Sequence, residues 1–280
     1  MKKWFPDRNE FYIGYLPNAP DGITRVIRKV ILLLGIVSVC LAALLAWHQK
    51  KFSPANFEYG VNTDIEGFIF EDPIPHVLVP LGRDQLGQQL YKTVLLVGFG
   101  KSGSQNAIHQ IIKSSQGPGS KARLNGSLIY GDGKALIQID NASDITLIEG
   151  RIDHVAAVQT DQSLSITGEI VDPKCYFGVM KPGEGKAHRA CAIRCIAGGI
   201  PPVFNGGPDG YYLLVNENNQ PISTEVANIV GDVITLNGRG VRWHDWTILQ
   251  IDSKSIDELS AAKRWKENLL AFEEGMTQCN

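Results

Sequence analysis

Val30 to Trp47 reads VILLLGIVSVCLAALLAW, eighteen residues without a charge. As a helix rising about 1.5 Å per residue, the run is roughly 27 Å long, close to the hydrocarbon thickness of a bilayer. A soluble core helix of this length keeps a polar face, and this one has none. A cleaved signal peptide fits poorly too. The apolar run exceeds the usual length of roughly 7–15 residues, the basic segment ahead of it is too long, and no A-x-A site follows. The run is therefore expected to be a membrane anchor bounded by Val30 and Trp47, with the Trp47 indole in the headgroup layer. Lys2, Lys3, Arg8, Arg25, Arg28 and Lys29 precede it, against Lys50 and Lys51 just after it. That bias puts the N-terminus in the cytoplasm and the rest of the chain on the far side.

The tail ahead of the anchor is aromatic, Phe11-Tyr12-Ile-Gly-Tyr15-Leu-Pro17. Phe11, Tyr12 and Tyr15 are candidates for docking on a membrane-protein partner or for lying in the interface; a merely sticky tail is the other reading. Net charge is −2 and no stretch concentrates Lys and Arg. This excludes the electrostatic footprint of nucleic-acid binding.

Beyond the anchor the chain reads as β structure. Pro54, Pro73, Pro75 and Pro80 interrupt short apolar runs, which predicts an extended linker with at most one edge strand. Thr93 to Val97 is a strand. Ala107, Ile108, Ile111 and Ile112 then share one helical face, up to the breaker Gln116-Gly-Pro-Gly119. Gly126 to Tyr130 and Lys134 to Ile139 form a hairpin around Gly131-Asp-Gly133. A second hairpin is expected at Gly231 to Ile251, turning at Asn237-Gly238. The endings Ala-Leu-Ile-Gln-Ile-Asp140 and Thr-Ile-Leu-Gln-Ile-Asp252 match, which suggests two small barrel-like units of related design, with chance similarity between amphipathic strands as the competing account. Ser255-x-x-Glu258 is a capping box, and Ile256, Leu259, Ala262, Trp265, Leu269 and Phe272 follow at helical spacing. A closing helix that packs on a barrel is expected there.

Gly98-Phe-Gly-Lys-Ser-Gly103 matches a dinucleotide fingerprint locally. No acidic residue ends the next strand, and no alternation of strands and helices builds a parallel sheet around it. It is read as a turn, with no nucleotide expected.

The sharpest feature is a group of cysteines. Of five in the chain, Cys40 lies in the anchor and Cys279 is next to last; Cys175, Cys191 and Cys195 stand close together. His188 to Ala197 reads as a short helix stopped by Gly198-Gly199. At about 100° per residue, His188, Cys191 and Cys195 share an arc of roughly 60°, and Cys175 can reach the same face across a Gly/Pro-rich loop. Three readings stand open. One is a disulfide from Cys175 to Cys191 or Cys195, with the third thiol buried or paired with Cys279. The second is a Cys₃His metal site suited to zinc or copper, although C-x15-C-x3-C is no standard zinc-ribbon spacing. The third is a thiol redox centre whose thiolate Lys174, Arg189 and Arg194 would favour. The pairs His244-Asp245 and Asp153-His154 show no third partner, so no hydrolytic triad is supported.

The run Gly168-Glu-Ile-Val-Asp-x-Lys-Cys-Tyr176, with His188-x-x-Cys-Ala-x-x-Cys195 and Gly-Gly-Ile-Pro-Pro202, resembles a group of uncharacterised bacterial exported proteins. The segment Phe11-Tyr-x-Gly-Tyr-Leu-Pro17 is similar to the opening of their membrane-anchored members. The resemblance is specific over residues 166 to 252. It implies a small OB-type β-barrel in a domain exported across a bacterial inner membrane into the periplasm, and it brings no established activity.

The expected layout is thus a cytoplasmic tail at 1–29, a single-pass helix at 30–47, an extended linker at 48–92, a first β unit at 93–160, a second OB-like unit with the cysteines at 161–252 and an amphipathic helix at 253–280. The fold class is mainly β, with small antiparallel OB-like barrels and one transmembrane helix. The expected function is a periplasmic accessory or binding protein serving a membrane redox or metal-handling system. A thiol-disulfide oxidoreductase using Cys191 or Cys195, and a purely structural interaction domain, are the alternatives.

Overall fold

The computed structural model describes residues 21–49, 55–153, 158–178, 180–252, 254–256 and 258–259. The chain divides into two units, 1–52 and 53–280.

In the first unit, helix α1 spans Asp21–Gln49, and its segment Gly22–His48 is long and apolar enough to cross a membrane. It extends the expected apolar run at both ends, where Arg25, Arg28 and Lys29 are good helix formers. The apolar side chains of α1, Trp47 included, are exposed within the molecule. The aromatic positions Phe11, Tyr12 and Tyr15 lie outside the described residues.

The second unit holds two five-stranded barrels of one topology. The first comprises β1 (Ala55–Phe57), β2 (Thr63–Phe70), β3 (His76–Arg83), β4 (Gln89–Val97), α2 (Gln105–Ser114), β5 (Ser120–Gly131), β6 (Lys134–Gln138) and β7 (Ile145–Arg151). Strands β2, β3, β4, β6 and β5 close a ring in that order, with β4–β6 the one parallel pair. β1 and β7 add to β5. The second comprises β8 (Val158–Val171), α3 (Pro173–Tyr176), α4 (Gly185–Ala197), β9 (Val203–Asn205), β10 (Tyr211–Asn216), β11 (Val233–Trp243) and β12 (Trp246–Ile251). Here β8, β9, β10, β12 and β11 close the ring, again with the third and fifth strands parallel. Both are OB-like barrels.

The repeat is exact in register where the sequences match. Ser127 pairs with Gln138 in the first barrel and Arg239 with Gln250 in the second. The residue before each, Gly126 and Gly238, cannot carry a side chain. A Cβ there would lie 2.2 Å from the Gln138 carbonyl oxygen and 2.4 Å from that of Gln250. This overturns the expected turn at Asn237-Gly238. The glycine serves a close strand crossing in the middle of β11, and the hairpin turns instead at His244-Asp245, where His244 has φ of 52°. In the first barrel the turn is Asp132-Gly133, both at positive φ, as expected of a tight hairpin.

The linker expected at 48–92 is likewise corrected, and the first β unit starts near 55 rather than 93. The prolines that suggested a linker sit where a sheet tolerates them. Pro73 and Pro75 lie between β2 and β3. Pro80 lies past the last β2–β3 pair, at a register shift against β4. The amphipathic stretch at 107–112 does form α2, which buries Ile108 and Ile112. Of the C-terminal helix, residues 254–256 and 258–259 are described and helical, and Ile256 is buried in the second barrel's core. Leu259 packs against the same core, and the stripe from position 262 on lies outside the described residues.

Alternation along the strands places two cores back to back. Val94 and Leu96 of β4 face the first barrel's own core with α2. Leu95 and Val97 face a core shared with Leu213, Val215, Trp243 and Trp246 of the second barrel. Burial on both faces explains the continuous apolar runs of β4 and β10. Polar contacts finish the junction. Asp245 accepts from Lys92 Nζ at 2.5 Å and from the Thr93 amide at 3.0 Å, and its carbonyl accepts from Lys134.

Burial works against the Asp245 charge, yet the bonds from Lys92 and Thr93 prevail and hold its carboxyl below the usual range. A depressed carboxyl pKa contributes stability that is present above the unfolded pKa and is lost as pH falls through the folded one. Asp245→Asn is expected to cost about 1.5–3 kcal/mol at pH 7. Urea unfolding should show the gap from wild type closing below about pH 4.

Candidate metal centre

Two short helices and one loop bring the cysteines together at the edge of the shared core. Strand β8 ends at Val171, and Asp172 caps α3: its Oδ1 accepts from the Lys174 amide at 2.9 Å, with Pro173 at the first helical position. That cap aims Cys175 back toward α4. Helix α4 starts at Gly185, three residues before the expected start, because the Glu169 carboxylate accepts the Gly185 amide. It ends as expected at Gly198, whose amide bonds the Arg194 carbonyl at 3.0 Å. His188, Ala192, Cys195 and Ile196 form its buried face, with Cys191 half-buried beside them.

The ligand-capable atoms form two groups that share one residue. One atom each of Cys175, His188 and Cys191 lie within 4.8 Å of one another, and so do those of Asp172, Cys175 and Cys195. The structure thus brings together all four residues that the sequence singled out, and adds Asp172. Among the described residues, Cys40, Cys175, Cys191 and Cys195 are free thiols. Cys279 lies outside the described residues.

The third component is the loop 98–103, the G-x-G-x-x-G segment read as a turn. It belongs to the first barrel and closes over the cluster in the second. The Gly103 amide bonds the Gly198 carbonyl at 2.8 Å, and the Lys174 ammonium donates to the Gly98 and Gly100 carbonyls at 2.7 and 2.8 Å. The Lys101 ammonium reaches the Cys191 sulfur at 3.1 Å. Gly198 must be glycine here, since a Cβ would lie 2.0 Å from the Lys101 carbonyl oxygen.

The electrostatics differ from atom to atom. A hydrogen bond with the Cys195 thiol, burial, and the Asp172 charge together push the Cys175 thiol far up. Burial pulls His188 down, which favours the neutral imidazole, the form that ligates metals. Burial also pulls Lys174 down, against the raising effect of Asp172. The hydrogen bond to Cys191 pushes Lys101 up.

Of the three cations expected to favour a thiolate, Lys174 is spent on carbonyls, Arg189 on Asp232 and the Asn228 carbonyl, and Arg194 is on the exposed side of α4. Lys101 takes that place instead. It was invisible in the sequence because its position depends on barrel-to-barrel packing. Asp172 had a signal, an Asp-Pro at a strand end, though only as a helix cap.

Whether these residues fit a metal can be tested on their unsatisfied atoms. Among the described residues, four buried side-chain atoms lack a hydrogen-bond partner: Thr93 Oγ1, Trp246 Nε1, Asp172 Oδ2 and His188 Nε2. Two of the four are in this cluster, one in each group. Asp172 is fully buried and His188 is 4% exposed. Leaving such polar atoms unmet is costly, and metal coordination in each group would satisfy the one it holds. Three thiols, an imidazole and a carboxylate make a donor set for zinc or copper. Of the two His-Asp pairs, Asp245 is engaged at the barrel junction, and His154 lies outside the described residues.

Comparison of the chain with protein-family models, with curated proteins and with solved structures finds no match.

Proposed function

We propose that this chain is a membrane-anchored accessory protein that holds a thiophilic metal, zinc or copper, for a membrane redox or metal-handling system. In this reading α1 sits in a bacterial inner membrane with the basic tail in the cytoplasm, and the barrels stand in the periplasm. The charge bias around α1 supports that placement. One observation carries the function: Cys175, His188, Cys191, Cys195 and Asp172 converge, while His188 Nε2 and Asp172 Oδ2 are buried without partners. A site that served only as a staple has no use for the buried imidazole or for the second carboxylate oxygen, since the α3 cap uses only Oδ1.

A second reading, thiol exchange, has the Lys101–Cys191 contact in its favour. It fits the other thiols less well. Cys195 is 2% exposed, and the Cys175 thiol is held protonated by its neighbours.

The test is elemental analysis with thiol counting on the full chain, purified in detergent without chelators or affinity metals. Zinc or copper that co-elutes with the protein and leaves all three thiols reduced is the expected result. A metal-free protein with two of these cysteines oxidised would sink the proposal and leave a disulfide staple.

A further inference from the structure

We infer that the cluster takes two zinc ions, bridged by the Cys175 sulfur. This rests on the metal-binding reading above and deepens it. The donors do not gather around one centre. They form two three-donor seats, Cys175–His188–Cys191 and Asp172–Cys175–Cys195, with Cys175 the only member of both. Each seat contains one of the two residues with an unpartnered buried atom, His188 with its Nε2 in the first and Asp172 with its Oδ2 in the second. An ion in the first seat leaves Asp172 Oδ2 unmet, and an ion in the second leaves His188 Nε2 unmet. Two ions satisfy both.

Charge balance points the same way. Three thiolates and one carboxylate carry four negative charges; one divalent ion and the Lys101 ammonium at the solvent edge offset three of them, and a second ion offsets the rest. Lys174, the nearby buried ammonium, donates to the Gly98 and Gly100 carbonyls. Loading is a simple exchange: two zinc ions enter, three thiol protons leave to solvent, and nothing is oxidised or reduced. Each ion then has three protein donors and one open position, as in zinc sites that exchange ligands rather than in closed structural ones.

The seats differ in access. Asp172 and Cys195 are buried, whereas Cys191 is half-buried beside Lys101, whose side chain is solvent-facing. The ion held by His188 and Cys191 is therefore the one that exchanges, and the Asp172–Cys195 ion is retained.

The experiment uses the full chain in detergent, loaded with Zn²⁺, desalted, and then challenged with EDTA. Two zinc ions per chain are expected, one leaving quickly and one slowly, with a zinc–zinc signal in X-ray absorption. His188→Asn and Cys191→Ser should each keep one ion, the slow one. Asp172→Asn preserves the α3 cap and should keep one ion, the fast one. Circular dichroism checks that each variant is folded, and having two variants in the outer seat guards against loss of one. One ion per chain in the wild type, without a zinc–zinc signal, overturns the bridged pair and leaves the single-ion reading standing. No ion at all overturns both.

Discussion

Cys175→Ala is expected to leave the barrels folded and to abolish retained metal, because Cys175 is the residue common to both donor groups. Its loss reduces each group to two donors, too few to outcompete water and buffer. The fall in affinity should exceed the roughly 10–100-fold that follows removal of an outer-shell partner. The fold should survive, since Cys175 is only half-buried and packs at the margin of the shared core. Equilibrium dialysis against Zn²⁺, with far-ultraviolet circular dichroism as the folding control, measures this. Metal retained at wild-type affinity in the variant would mean that the ligands lie elsewhere. Cys40 is a useful control, because it lies on α1, in a unit separate from the cluster, and its replacement should change nothing.

Trp246→Ala should produce the largest loss of stability. Trp246 is 1% exposed in the core shared by both barrels, packs edge-on against Phe177, and carries the Lys134 ammonium 4.5 Å from its ring centroid. Removing a buried tryptophan costs about 3–5 kcal/mol. For a domain of this size that lowers the melting temperature by roughly 6–20 °C. Because the lost contacts join Leu95, Ile129 and Leu136 of one barrel to the second barrel, the variant should also melt in two steps where the wild type melts in one. Differential scanning calorimetry separates the two cases. Ile108→Ala is the matched control: it empties space in the first barrel's own core and should lower stability without splitting the transition. A single transition in Trp246→Ala would show that the shared core is not what couples the barrels.

The cluster also illustrates how spacing and packing divide the work. Helical periodicity alone put His188, Cys191 and Cys195 on one face, since those positions depend only on backbone geometry within ten residues. The approach of Cys175 needed the Asp172 cap and the short turn of α3, which local chemistry suggests but does not orient. The placement of Lys101, 90 residues from Cys191, followed from two barrels docking. No pattern local to the Gly98–Gly103 segment carries that information.

What the sequence determined by itself was whatever depends on local period and composition: the uncharged run of α1, the amphipathic face of α2, the Asp132-Gly133 hairpin, the glycine stop of α4 and the matched strand pairs ending at Asp140 and Asp252. The tertiary structure decided the rest. It showed that Asn237-Gly238 is a strand crossing and that residues 55–92 are three strands and the start of a fourth. The reason is common to both. Proline and glycine announce a constraint on the backbone, but ring closure of a barrel decides whether that constraint is met at a turn, at a bulge or at a close approach of two strands. The second core, and the Cys/His cluster at its edge, exist only because alternate faces of β4 and β10 are both buried. That burial belongs to the pair of barrels and to neither sequence segment alone.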